Sequence, residues 1–210
     1  MCGISGFCDF SLNYYDKKPF WETILVQMHE TLKHRGPDQA MIDLQPHVGL
    51  SHARLSIRDL KSGIQPMTRT FHGKTCSFVY NGEIYNHREL LPELQAAGYR
   101  FTTTSDTEII LCAYMHFGKD FVEKLNGIFA FAIWDDTTRE LLLYRDRAGP
   151  TARISCRLFL SMEDVCSSID NIIFSKFIYT QQFINFIYIT KISVLAKSTI
   201  EISKIFSKTC

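Results

Sequence analysis

Along the first 147 residues of this 210-residue chain, apolar positions recur with two different periods. Within residues 20–33, Trp21, Ile24, Leu25, Met28 and Leu32 fall three or four positions apart, the spacing that lines one face of a helix. Arg35-Gly36-Pro37 ends that helix, because Pro37 restrains the residue before it and brings no N–H donor. Asn86 stands where a cap is needed for a second helix carrying Leu90, Leu91, Leu94 and Ala97 on one side and closed by Gly98. Ser105 or Asp106 caps a third, with Ile109, Ile110, Ala113 and Phe117 turned inward. The other period is that of strands. Residues 2–10 alternate small and apolar side chains, 48–51 and 75–80 are short apolar runs, and 127–134 with 140–145 flank Asp135-Asp136-Thr137-Thr138 as a hairpin. Asn81-Gly82 follows one of these runs and predicts a sharp turn, since this pair adopts positive φ readily; two polar groups would project past the strand.

Strands and helices therefore come in clusters, which predicts an α+β fold of antiparallel sheets with helices on their outer faces. From about Ala148 the character changes. No glycine, proline or tryptophan occurs after Pro150, and Ile, Phe, Ser and Lys dominate, so the turn punctuation that a compact domain of short elements uses is missing. The expected division is a domain over residues 1–147 and a foreign tail over 148–210, with a frameshift, an unspliced intron or a gene-prediction error as its source. Lys176, Gln181, Gln182, Asn185 and Lys191 interrupt the tail's apolar stretch short of the roughly 20 residues a bilayer crossing needs. Strand-forming, aggregation-prone material fits it better.

Bulk properties narrow the function. The length suits one domain with a full core, with or without an appendage. A formal charge of +1, with both signs interspersed, provides no electrostatic footprint for nucleic acid or an anionic membrane and favours a small-molecule substrate. The seven cysteines are odd in number, scattered and never spaced Cys-x-x-Cys, against both a disulfide framework and a zinc site. With Asp9 early and no basic stretch or long apolar core at the N-terminus, the expectation is a cytoplasmic protein.

Cys2 is the chemically distinctive position. Cleavage of Met1 would put a thiol and an amine on one residue, with ordinary pKa values of about 8.5 and about 7.7–8.0, so the proton can pass between them at little cost. The sulfur then needs no histidine. His34, His52, His72 and His87 raise a Cys-His alternative, which a nucleophile at the chain end disfavours; His34 fits better as support for the Arg35-Gly36-Pro37-Asp38 loop. Cys8, Cys76 and Cys112 lie within apolar patterns and are expected to be buried and inert.

After Met1-Cys2-Gly3-Ile4-Ser5-Gly6-Phe7 come His34-Arg35-Gly36-Pro37-Asp38, His52-Ala53-Arg54-Leu55-Ser56-Ile57, Gln65-Pro66-Met67, Asn81-Gly82-Glu83-Ile84-Tyr85-Asn86 and Ser105-Asp106-Thr107-Glu108. Singly these pairs mark turns and caps. In this order they resemble the glutaminase domain of glutamine-hydrolysing asparagine synthetase, a class II, N-terminal nucleophile glutamine amidotransferase. The likeness runs from Cys2 to about Arg147. There the family continues Arg-Asp-Arg with Phe-Gly, whereas here Arg145-Asp146-Arg147 runs into Ala148-Gly149-Pro150.

The resemblance implies a four-layer αββα sandwich, incomplete at its C-terminal end. It implies hydrolysis of L-glutamine to glutamate and ammonia through a γ-glutamyl thioester on Cys2, with the Asn81 side-chain amide and the Gly82 N–H as the oxyanion hole. Matching to the family's glutamine-binding segments assigns Arg54, Leu55, Ser56, Ile57 and Arg58, then Asn81, Gly82 and Glu83, then Asp106. In that match Arg54 would take the α-carboxylate, and Asp106 with Glu83 the α-ammonium; Arg58 stands where a small apolar residue is usual. ATP, Mg²⁺ and aspartate belong to a synthetase domain whose Ser-Gly-Gly-x-Asp-Ser loop does not occur in this chain, so no cofactor is expected here. A homodimer is what the family implies for assembly. Two alternatives stay open: the glutaminase domain of another amidotransferase, such as amidophosphoribosyltransferase or glucosamine-6-phosphate synthase, and a truncated, inactive fragment.

Overall fold

The computed structural model describes residues 2–55 and 63–146 in full and the backbone of residues 153–158 and 184–189. In chain order the elements are β1 (Gly3–Cys8), a 3₁₀ turn (Tyr14–Lys17), α1 (Lys18–Leu32), β2 (Gln39–Leu44), β3 (Val48–Arg54), β4 (Met67–Phe71), β5 (Lys74–Ile84), α2 (His87–Ala96), α3 (Asp106–Phe117), β6 (Gly127–Asp135), β7 (Glu140–Arg145), β8 (Arg153–Leu158) and β9 (Ile184–Ile189). They form two sheets, in the orders β2-β3-β1-β9-β8 and β4-β5-β6-β7.

Side-chain alternation builds four layers from these two sheets. On the outer face of the first sheet, Phe7 and Leu44 pack with Trp21, Ile24, Leu25 and Met28 of α1. On the outer face of the second, Phe78, Tyr80, Phe131 and Ile133 pack with Leu90 and Leu94 of α2 and Ile109 and Ile110 of α3. Between the sheets lie Ile4, Cys8, Val48, Leu50, Val79, Ala132 and Trp134. Each fully buried side chain of this size contributes about 1.5–3 kcal/mol of transfer free energy, so the inter-sheet layer is a principal source of stability. The α+β, αββα arrangement agrees with the expectation from the sequence.

Local differences are instructive. Asn81-Gly82 is not a turn. β5 continues through it to Ile84 and stays paired with β6, Asn81 opposite Ala130 and Gly82 opposite Phe129. The glycine is required by close approach: a Cβ at Gly82 would stand 2.1 Å from the Ile128 carbonyl oxygen. Asn86 occupies the N-cap of α2, but its side chain makes no cap bond. It bridges to the segment before β6 instead, donating to Lys124 O at 2.8 Å and accepting from Asn126 N at 2.8 Å. Ser105 does cap α3, its Oγ accepting from Thr107 N at 3.2 Å. β2 and β4, which the apolar pattern does not predict, are half exposed, β2 even at Met41 and Ile42. β1–β3, β2–β3 and every pairing in the second sheet are antiparallel, whereas β9 pairs in parallel with β1 and β8.

Candidate functional site

The ladder between β1 and β3 pairs Gly3 with Ala53, so Cys2 and Arg54 meet at its next step. Cys2 is half-buried, and its Sγ lies between the two backbone groups of Leu55: it is 3.8 Å from the carbonyl oxygen, and the Leu55 N–H points at the sulfur from 3.5 Å. The Arg35-Gly36 loop closes over the same place. Gly36 lies so tightly on β3 that a Cβ would stand 2.2 Å from the Ala53 carbonyl oxygen, and Asp38 N donates to Arg54 O at 3.1 Å. This brings Arg35 within electrostatic reach of Cys2: burial lowers the pKa of the guanidinium, and the sulfur's charge opposes that shift.

Arg54 is buried at the end of β3 and donates through Nη1 to Gln39 Oε1 at 3.3 Å. Gly63 lies between Arg54 and the start of α3, since a Cβ on it would be 2.7 Å from Ser105 Oγ and 4.0 Å from Arg54 Nη2. Ser56, Ile57 and Arg58 fall outside the described residues.

The second sheet contributes β5. Because Val79 faces the other sheet, alternation turns Asn81 and Glu83 to the same side; Asn81 is buried, Gly82 and Glu83 exposed. Leu50 and Ile4 face that same layer, so Arg54 and Cys2 share the gap between the sheets. Asp106, the first residue of α3, accepts at Oδ2 from Tyr80 Oη at 3.0 Å and from Ile84 N at 3.3 Å. Of the residues singled out from the sequence, Cys2, Arg54 and Leu55 lie together at one end of β1 and β3, Asn81, Gly82 and Glu83 lie on β5 of the sheet packed against them, and Asp106 starts α3 and is bonded to β5.

Among the described residues, the other thiols are buried, and several imidazoles are buried or hydrogen-bonded away from Cys2. Burial pushes the Cys76 thiol up to about 12, helped by Asp135, and Cys112 up to about 11 against the opposing charge of Arg69; burial and then Asp9 raise Cys8 as well. His52, between the sheets, is lowered to about 4, chiefly by burial, while a hydrogen bond to the Tyr80 backbone opposes the shift. His29 Nδ1 meets Ser51 Oγ at 2.8 Å, and His87 Nδ1 meets Ile84 O at 2.6 Å. His34 and His72 are exposed, His34 in a second 3₁₀ turn, Lys33–Arg35, that leads into Gly36. Among the described residues no group of three or more His, Cys, Asp or Glu could hold a metal ion, and no helix is long and apolar enough to cross a membrane.

Sequence reasoning did not single out Arg35, Gln39, Gln65 or Thr107 individually. For Gln65 a signal existed: a polar residue with two-ended hydrogen-bonding capacity just before a strand, inside a motif already noted. Its Oε1 accepts from Tyr80 N at 2.6 Å and its Nε2 donates to Thr107 Oγ1 at 3.3 Å.

Comparison with known proteins gives a consistent picture. Residues 1–152 match the family described as Glutamine amidotransferase domain. Asparagine synthetase [glutamine-hydrolyzing] 3 of Bacillus subtilis (strain 168) is 43% identical over 149 residues, covering 71% of this chain and 24% of that protein. Asparagine synthetase B [glutamine-hydrolyzing] of Escherichia coli (strain K12) is 36% identical over 149 residues, 71% of this chain and 26% of that protein. A solved glutamine phosphoribosylpyrophosphate amidotransferase from B. subtilis overlays with a TM-score of 0.41 at 24% identity, over 49% of this chain and 24% of that one. The chain thus spans about a quarter of the length of the curated relatives it matches. With the match running through every segment that forms the inter-sheet site, the chain belongs to the glutamine amidotransferase domain family.

Proposed function

We propose that this chain hydrolyses the side-chain amide of L-glutamine to glutamate and ammonia, through a γ-glutamyl thioester on Cys2. The observation that supports the reading is a half-buried thiol held at the Leu55 backbone on one sheet, with Asn81-Gly82 on a strand of the sheet packed against it. Removal of Met1 leaves an α-amine that takes the thiol proton. The thiolate attacks the carbonyl carbon of the side-chain amide, Cδ, and the carbonyl oxygen becomes an oxyanion for the Asn81 amide and the Gly82 N–H, each such donor being worth about 2.7–4 kcal/mol of barrier. The C–N bond then breaks, ammonia leaves with the proton from the amine, and water, deprotonated by the same amine, cleaves the thioester.

Substrate selection needs charges at fixed places. The Arg54 guanidinium suits the α-carboxylate bidentately, and Asp106 with Glu83 suits the α-ammonium; Leu55, Ser56, Ile57 and Arg58 complete the glutamine-binding segment. The glutaminase motifs lie within residues 1–147; 148–210 is the segment whose sequence departs from the family, although its strands β8 and β9 pair onto the first sheet. In a longer protein the ammonia would serve ATP- and Mg²⁺-dependent asparagine synthesis from aspartate, in the cytosol and as a homodimer; this chain needs no cofactor.

Purified chain incubated with glutamine is expected to release glutamate and ammonia in equal amounts, whereas Cys2→Ala releases neither and a chain with a blocked N-terminus loses most of the rate. Turnover that survives in both altered chains overturns the reading.

A further inference from the structure

β4 ends its pairing at Met67, opposite Phe78, while β5 runs on to Ile84. Beyond Phe78 the β4 side of β5 has no strand beside it among the described residues. Backbone N–H groups alternate sides along a strand, so those of Tyr80, Gly82 and Ile84 all face this edge. Two are taken by side chains: Tyr80 N–H donates to Gln65 Oε1 at 2.6 Å, and Ile84 N–H to Asp106 Oδ2 at 3.3 Å. Gly82 lies midway, and its N–H faces the notch between these two acceptors. The notch is braced at its Gln65 end. Gln65 is 6% exposed, its amide nitrogen donates to Thr107 Oγ1 at 3.3 Å, and Thr107 follows Asp106 on α3.

We propose that Gln65 is a positioning residue for glutamine hydrolysis: by bonding Tyr80 N–H and Thr107 it fixes the peptide planes of β5 that aim the Gly82 N–H and the Asn81 amide at the oxyanion. The inference rests on the glutaminase reading and adds a residue that touches no substrate. Its mode of action separates it from a general stabiliser. A β5 edge free to rotate misdirects donors that matter in the transition state, whereas the ground-state grip of Arg54 and Asp106 on glutamine is untouched, because Asp106 keeps its own bonds from Tyr80 Oη and Ile84 N.

The test is Gln65→Met, near in shape and without either polar end, in the 210-residue chain with Met1 removed. A loss in kcat of about tenfold or more with KM within about threefold is expected, since donors aimed at the oxyanion act on kcat rather than on ground-state binding. Hydrogen exchange at the Tyr80 amide is expected to accelerate while Val79 and Phe131 keep their protection. Gln65→Glu, whose carboxylate still accepts from Tyr80 N–H and from the Thr107 hydroxyl, is expected to recover kcat to within about fivefold of the parent. Unchanged kcat in folded Gln65→Met, or a loss confined to KM, overturns the proposal. If Gln65→Met does not fold, Thr107→Val takes its place, where about threefold lower kcat supports the proposal and unchanged kcat overturns it. A parent chain without turnover overturns the glutaminase reading, and this role with it; an active parent with an indifferent Gln65 overturns this role alone.

Discussion

Gly82→Ala separates the two ways in which a glycine can be needed. At Gly73 the backbone is left-handed, φ +79°, and nothing lies within 4 Å of the place an added methyl would take, so alanine there meets only conformational cost, about 1–2 kcal/mol. At Gly82 a Cβ would stand 2.1 Å from Ile128 O, 2.7 Å from Phe129 Cα and 2.9 Å from Tyr80 Cε2, two of the three contacts being backbone of the paired strand. Relief requires β5 and β6 to part by about 1 Å, which adds an overpacking cost of about 1–3 kcal/mol to the weakening of about two ladder hydrogen bonds at about 1 kcal/mol each. The expected loss is about 4 kcal/mol, or about 10 °C in Tm for a domain of this size. Urea unfolding at 25 °C measures it, with Gly73→Ala as the control, and an unchanged m-value shows that the unfolded state is the same. Equal losses for the two substitutions would refute the close-approach argument.

Other expectations follow from buried charge. His52 has its pKa lowered to about 4 in the folded chain against about 6.5 unfolded, so the folded state holds it neutral; its contribution is complete above about pH 6.5 and is lost as pH falls through about 4, a difference of about 3 kcal/mol. Acid titration of stability in His52→Gln is expected to lack that slope, and an identical slope refutes the assignment. Asp135 is fully buried; burial pushes its carboxyl up, but hydrogen bonds from Tyr114, Lys74 and Thr138 and the Lys74 charge outweigh this and hold it below the usual range. Tyr114→Phe removes the 2.8 Å donor to Asp135 Oδ2, and a loss of about 1.5–3 kcal/mol is expected, with acid unfolding moved to higher pH because a depressed carboxyl stabilises only above its unfolded pKa. Unchanged acid unfolding would show that the other donors suffice. Asp106→Asn keeps an oxygen for Tyr80 Oη and Ile84 N but removes the charge, so KM for glutamine is expected to rise about tenfold or more with little change in kcat. An unchanged KM would leave Asp106 a structural residue only.

How much of this was legible depended on whether a local pattern carried the information. The faces of α1 and α3 were readable because Trp21, Ile24, Leu25 and Met28, or Ile109 and Ile110, bury where helical spacing puts them. The edge strands β2 and β4 were not, because half-exposed strands hide their period behind residues such as Thr68, Arg69 and Thr70. Asn81-Gly82 misled for a physical reason: the residue pair favours a turn locally, and nine consecutive pairs between β5 and β6, from Cys76–Asp135 to Ile84–Gly127, override that preference. In the site, residue types pointed to Cys2, Arg54, Asn81 and Asp106 through a resemblance. The bonds of Gln65 are invisible in sequence because they join loop, strand and helix at separations of 15 and 42 residues.

The division of the site between the two sheets has a consequence for what can be active. The thiol and Arg54 ride on β1 and β3, while Asn81, Gly82 and Glu83 ride on β5, with Asp106 bonded to β5 at Ile84. Neither half holds both the proposed nucleophile and the proposed oxyanion donors. What sets their separation is the apolar layer of Ile4, Val48, Leu50, Val79, Ala132 and Trp134, together with polar ties that cross it, Gln45 Nε2 to Ser77 Oγ at 2.6 Å and His52 to the Tyr80 backbone. A native core is close-packed, so a lost methylene in that layer is taken up as a displacement of one sheet against the other as well as a cavity. Donors that must meet an oxyanion at about 2.7–3.1 Å tolerate little of that displacement. Substitutions in the inter-sheet layer are therefore the ones in which turnover and stability must fall together, whereas those under α1 can lower stability and leave the spacing of the two halves unchanged.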